Sequence, residues 1–101
     1  MSSLQVLIGL SVEKIEKVHD YIQIAFFGGA ILSIFNKYFY DGDSVLDIQH
    51  RKVMAVHESD DKVSIIFDNE RSFSVGLKDH DYNGPEAMIL MREGKVPIVW
   101  S

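Results

Sequence analysis

Apolar and less apolar positions alternate along residues 21–26, where Ile22, Ile24 and Phe26 are interleaved with Tyr21, Gln23 and Ala25. A period of two marks a strand with one buried face. Gly28-Gly29 comes next, and glycine accepts the positive φ that a tight hairpin turn demands. Leu32 and Ile34 then resume the inward face. The same order returns later in the chain, with Val63, Ile65 and Phe67, a turn at Asp68-Asn69-Glu70-Arg71, and Phe73, Val75 and Leu77. The pattern predicts two β-hairpins.

A less regular segment precedes each hairpin. Val12 and Ile15 are three apart, as are Val53 and Val56. That spacing fits a helix face or a strand whose alternation is broken by a bulge. The bulged strand is the favoured reading, because Asp20 and Asp60-Asp61 stand where a tight turn would lead into the hairpin. Earlier still, Ser3 and Ser44 precede Leu4/Leu7/Ile8 and Val45/Leu46/Ile48, each serine a good N-cap for a short helical turn.

These parallels belong to one larger regularity. Displaced by 41 residues, Ser3–Lys37 lies on Ser44–Lys78 without a gap, with seven identities in 35 positions. The matches fall mainly on the apolar skeleton, which argues for one structural unit used twice. A further hairpin is expected over residues 86–101, with Ala87–Met91 and Val96–Trp100 flanking Arg92-Glu93-Gly94-Lys95 and Pro97 suited to an edge. The expected fold is mainly β. Two tandem repeats of short helix plus three-stranded meander, followed by a C-terminal hairpin, form a small barrel or strongly twisted sheet with pseudo-two-fold symmetry. The expectation is one domain, residues 1–101, with internal repeats 3–37 and 44–78.

Composition narrows the function classes. A hydrophobic fraction of 47% in 101 residues suits one modest core and leaves apolar side chains for an interface. No apolar run approaches the ~20 residues of a membrane-spanning helix, and Met1-Ser2-Ser3-Leu4 lacks a basic signal-peptide start. There is no cysteine for a disulfide, a thiolate metal site or a nucleophile. A cytoplasmic protein that binds no membrane is therefore expected. The net charge of −5 is spread evenly, with no basic stripe to neutralise phosphates, so nucleic-acid binding is disfavoured.

The densest polar stretch is Asp79-His80-Asp81-Tyr82-Asn83-Gly84-Pro85-Glu86. Asp79, Asp81, Asn83 and Gly84 match the opening of a calcium loop, D-x-[DN]-x-[DN]-G. The match fails at the twelfth position, where the bidentate glutamate is replaced by Leu90. A connecting loop of local Asx turns is the simpler reading. His19, His50, His57 and His80 are scattered, with no spacing that sets two on one face. No nucleophile elbow is present, and Ser33 and Ser74 are expected on outward strand faces. No metal or other cofactor is implied, and enzyme is the weaker class.

The aromatic stretch is more suggestive. Phe35-Asn36-Lys37-Tyr38-Phe39-Tyr40 occupies positions where the second repeat has Gly76-Leu77-Lys78-Asp79-His80-Asp81. Residues that leave the repeat pattern are not needed for a shared fold. Phe35, Tyr38, Phe39 and Tyr40 are therefore candidate binding residues, with at least two outside the core, since aromatics are enriched in interfaces. The competing reading has them cap an open barrel end. Trp100 also needs cover, from the body of the protein or from a neighbouring subunit.

Leu7-Ile8-Gly9, Val12 and Ile15, with Gly84-Pro85-Glu86-Ala87-Met88 and Pro97-Ile98-Val99-Trp100, give the chain a resemblance to small uncharacterised bacterial proteins carried as orphan cargo in mobile gene cassettes. The resemblance implies a compact, often oligomeric protein and carries no catalytic residues. Taken together, the expected function is non-enzymatic recognition of a protein partner by a homodimer, through Phe35–Tyr40 and the Asp79–Glu86 loop, with acidic charge steering a basic partner. The alternative is a small-molecule binder or hydrolase with a pocket between the repeats, using His57, His80 and Glu86.

Overall fold

A computed structural model of the chain describes residues 4–101, so Ser3 as an N-cap lies outside the described residues. Three short 3-10 turns and nine strands follow one another: η1 (Leu4–Leu7), β1 (Val12–Val18), β2 (Tyr21–Phe26), β3 (Ile31–Ile34), β4 (Tyr38–Tyr40), η2 (Val45–Ile48), β5 (Val53–Glu58), β6 (Lys62–Phe67), β7 (Ser72–Gly76), η3 (Asp79–Asp81), β8 (Met88–Met91) and β9 (Ile98–Trp100). The strands form two antiparallel sheets, ordered β1-β2-β3-β8-β9 and β4-β7-β6-β5.

The fold is mainly β, as expected, but the strands do not close into a barrel. β9 and β4 each end a sheet. The chain changes sheet twice: after β3 it adds β4 to β7, and after β7 it returns to set β8 beside β3. Each three-stranded run thus receives a strand from the segment that follows the other.

Local chemistry accounts for the elements. Bulges shift the register between Val12 and Lys14 in β1 and between Val53 and Ala55 in β5. One extra residue lets side chains three apart face the same way, and Val12, Ile15, Val53 and Val56 are all buried. His19, at φ 55°, sits in the turn from β1 to β2. The turn after β2 has Gly29 at φ 94°, and the turn after β6 has Glu70 at φ 66°. Ser44 caps η2, its side chain accepting a hydrogen bond from the Leu46 N–H at 3.2 Å.

Both sheets contribute to one apolar cluster, which includes Phe26, Ile24 and Leu32 from the first and Phe67, Ile65 and Phe73 from the second. The short turns pack crosswise, η1 on β5 and η2 on β1, burying Leu4, Leu7 and Ile48. Where the sheets meet, Ser11 and Lys52 form a single antiparallel bridge. The hydrogen bonds around it are main-chain. Val12 N–H donates to Arg51 C=O at 2.9 Å, and Val53 N–H to Leu10 C=O at 2.8 Å. Gly9 N–H donates to Val53 C=O at 2.8 Å, and His50 N–H to Val12 C=O at 2.7 Å.

Alternation points Ser33 and Ser74 away from the core, yet both are little exposed, because they lie on central strands between their neighbours. Gln23 Nε2 donates to Ser33 Oγ at 3.2 Å, and the Ser64 and Ser74 hydroxyls are 2.9 Å apart.

Candidate functional site

The two segments singled out in the sequence meet in space. Leaving β3, the chain passes Phe35, Asn36 and Lys37 before β4, and the Asp79–Glu86 loop runs alongside. Lys37 N–H donates to Asp81 C=O at 2.9 Å, Phe35 N–H donates to Ala87 C=O at 2.9 Å, and Asn83 Nδ2 donates to Phe35 C=O at 2.8 Å. These bonds fasten the loop to the crossover between the sheets.

The aromatics divide by position. Tyr38 stacks on Phe73, with centroids 5.2 Å apart and planes 11° apart, and Tyr40 also packs against the core. Tyr40 Oη donates to Asp47 Oδ2 at 3.2 Å. Burial, then this hydrogen bond and the Asp47 charge, push the Tyr40 hydroxyl above its ordinary value. Phe39 is the exposed member, 52% accessible, with Lys37 Nζ 5.5 Å from its ring centroid. Phe35 is half-buried against Tyr21, ring centroids 5.0 Å apart and tilted by 44°. With no closed barrel, these rings plug no barrel end.

In the loop, Asp81 turns inward. It is 6% exposed, and its Oδ2 accepts from the Lys78 N–H at 3.2 Å. Asn83 is engaged with Phe35, and His80 is exposed, its Nε2 3.6 Å from Asp81 Oδ1. Asp79 is exposed and Tyr82 half-buried. Among the described residues no group of three or more His, Asp or Glu side chains is placed to hold a metal ion. Trp100 is half-buried against the core from β9, and its C=O accepts from Ala87 N–H at 2.6 Å, so the body of the protein covers it in part.

Hollows open beside these segments, one of about 460 Å³ bordered by Leu77, Asp79, Tyr82, Gly84 and Ser101. A cleft of about 180 Å³ is bordered by Asp20, Tyr21, Phe35, Asn83, Pro85 and Glu86. A broader one of about 330 Å³ has Phe39, Lys62, Lys78 and His80 on its walls. His57, His80 and Glu86 share none of these hollows.

Sequence reasoning missed Asn36, which is 2% exposed and whose Nδ2 donates to Gly76 C=O at 2.7 Å. It also missed Asp20 and Tyr21, which border the cleft with Phe35. A signal existed for Tyr21: 41 residues on stands Lys62, so the position departs from the repeat as Phe35 does. The outer face of the first sheet was missed as well. Register and alternation place Tyr21, Gln23, Ala25, Ile31, Ser33, Ile89, Met91 and Val99 there, with Lys14, Glu16 and Val18 of β1 along one edge, so the β3-β8-β9 part of the face is the part without charge. Met91 is 52% and Val99 50% exposed.

Comparison with protein-family models, with curated proteins and with solved structures finds no match. No helix among the described residues is long and apolar enough to cross a membrane.

Proposed function

We propose that this is a non-enzymatic interaction protein that recognises a protein partner through the joined surface of Phe35–Tyr40 and Asp79–Glu86. The observation that carries this reading is the fastening of the loop to the crossover by Lys37–Asp81 and Asn83–Phe35, with Phe39 left exposed beside it. Side chains from two distant stretches form one surface there. A partner would meet an apolar ring within a polar, hydrogen-bonded rim, the composition of a recognition patch. The pocket alternative has less support, since His80 and Glu86 border different hollows and His57 borders neither of them.

The protein is also a homodimer in this proposal, its copies joined through the outer face of the first sheet at Ile31, Met91 and Val99. Every copy carries a net charge of −5, so copies meet with least repulsion on the β3-β8-β9 part of that face, away from Lys14 and Glu16 of β1. The two halves, in the same reading, are copies of one unit related by a pseudo-two-fold axis through Ser11 and Lys52. In support, the bonds Val12–Arg51 and Val53–Leu10 exchange when residues 41 apart are swapped. A cytoplasmic role in bacteria completes the proposal.

Tyr38 and Tyr40 are unsuitable probes, because both pack against the core. Light scattering on the wild type and Met91→Glu tests the dimer. The wild type should have twice the 11.5 kDa chain mass and the variant the single mass; a monomeric wild type refutes the dimer. For the partner, a protein captured from bacterial lysate by the wild type should be lost with Phe39→Asp. Equal capture by both removes Phe39 from recognition.

A further inference from the structure

The cleft beside Phe35 has a chemistry of its own. Its two rings, Tyr21 and Phe35, are tilted neighbours, and Asp20 and Glu86 add a carboxylate each. No lysine, arginine or histidine borders it. Neither carboxylate is engaged in an ion pair among the described residues, where the pairs are Lys14–Glu16 and His80–Asp81. The cleft, at about 180 Å³, is smaller than the ~300–1,000 Å³ of pockets for drug-sized ligands. It suits a single side-chain head.

An aromatic face attracts a cation through its quadrupole. A guanidinium adds two features: it is planar, so it lies flat on a ring, and its fork of N–H donors matches a carboxylate. We infer that this cleft receives an arginine side chain of a basic protein partner, the guanidinium against Tyr21 and Phe35 and its N–H groups directed to Asp20 and Glu86.

The inference rests on the protein-recognition reading and supplies the chemistry of the partner. Tyr21 shares the sheet face of the dimer patch, but the cleft lies at the other end of β3 from Ile31. Phe35 follows the last residue of β3 and Ile31 is its first, and four strand residues span roughly 13 Å. The hydrogen bonds of Phe35 N–H and C=O to Ala87 and Asn83 hold the cleft wall in place before any partner arrives, so little ordering cost remains for binding.

The test is a proton–nitrogen NMR titration of the full chain with acetyl-Gly-Arg-Gly-amide, and with the same peptide carrying citrulline, at low salt. The arginine peptide should shift the amides of Tyr21, Phe35 and Gly84, with a weak, millimolar-range affinity. Citrulline has nearly the same shape and no charge, and should bind at least ~10-fold more weakly. Asp20→Asn/Glu86→Gln should weaken the arginine peptide at least ~5-fold while its own spectrum stays dispersed. Should that variant fail to fold, Phe35→Leu is titrated in its place, with the same loss expected. Equal shifts from arginine and citrulline, or full binding by a folded variant, overturn the proposal. Peptide binding is read at the cleft whether or not copies pair, so failure here is separable from failure of the dimer. Arginine binding without any effect of Phe39→Asp on partner capture would leave the cleft standing and remove only the Phe39 surface.

Discussion

The side-chain amide of Asn36 donates to the main-chain carbonyl of Gly76 at 2.7 Å, 40 residues further along the chain. It fixes the crossover out of the first sheet to the end of β7. A buried carbonyl deprived of its donor loses the bond and keeps its desolvation cost. Asn36→Ala should therefore destabilise the fold by about 1–3 kcal/mol, read from urea midpoints at constant slope.

Gly76 has a second role. A Cβ built on it would fall inside the Asp81 carboxylate, which is held by the Lys78 N–H. Its φ is ordinary, so the demand is for space. Gly76→Ala should cost about 1–3 kcal/mol. It should also loosen the Asp79–Glu86 loop, seen as faster hydrogen exchange at Lys37, whose N–H bonds to Asp81 C=O. Unchanged exchange with lowered stability would place the damage in β7 instead.

The Ser64 and Ser74 hydroxyls satisfy one another at 2.9 Å between central strands. Replacing either by valine strands the other, at a cost of about 1 kcal/mol, whereas replacing both removes two polar groups together. The double variant should be near wild-type stability or above it, since β-branched side chains suit the site. A double-mutant cycle checks this, and simple addition of the single effects counts against the pairing.

Tyr40 should give the fold an alkaline limit. Its hydroxyl is pushed above the ordinary value of 10.0 in the folded chain, first by burial and then by Asp47. The folded state then holds its proton where the unfolded chain has begun to release it. This contribution is complete below about pH 10 and is lost as pH rises through the folded value. Melting temperatures of the wild type should fall more steeply between about pH 9.5 and 11 than those of Tyr40→Phe. Parallel curves would show that folding does not raise the Tyr40 hydroxyl.

The hairpins were legible because alternation is a local signal: Ile22, Ile24 and Phe26 could face only one way once their strand was granted. The bulges were legible too, in the three-residue spacing of Val12 and Ile15. Strand exchange was not. Whether Tyr38–Tyr40 stays with β3 or crosses to β7 depends on contacts 35 residues away, and a three-residue strand carries almost no periodicity. How far Ser33 is buried was not legible, because alternation reports direction, while burial depends on the strands at each side. The meeting of Phe35 with Asn83 was hidden for a similar reason, since a side chain-to-carbonyl bond leaves no pattern in sequence. The cleft needed both, so Phe35, Asn83 and Glu86 of its rim were singled out without Asp20 and Tyr21.

At the bridge of Ser11 and Lys52 the bonds across the seam join peptide groups. A joint of that kind is indifferent to which amino acids flank it, provided the chain can trace the path. Mutations could accumulate on either side without parting the sheets. The first sheet carries Tyr21, Gln23 and Ile31 where the positions 41 residues on hold Lys62, Ser64 and Ser72. Difference between the two surfaces and permanence of the joint are, on this view, the same property.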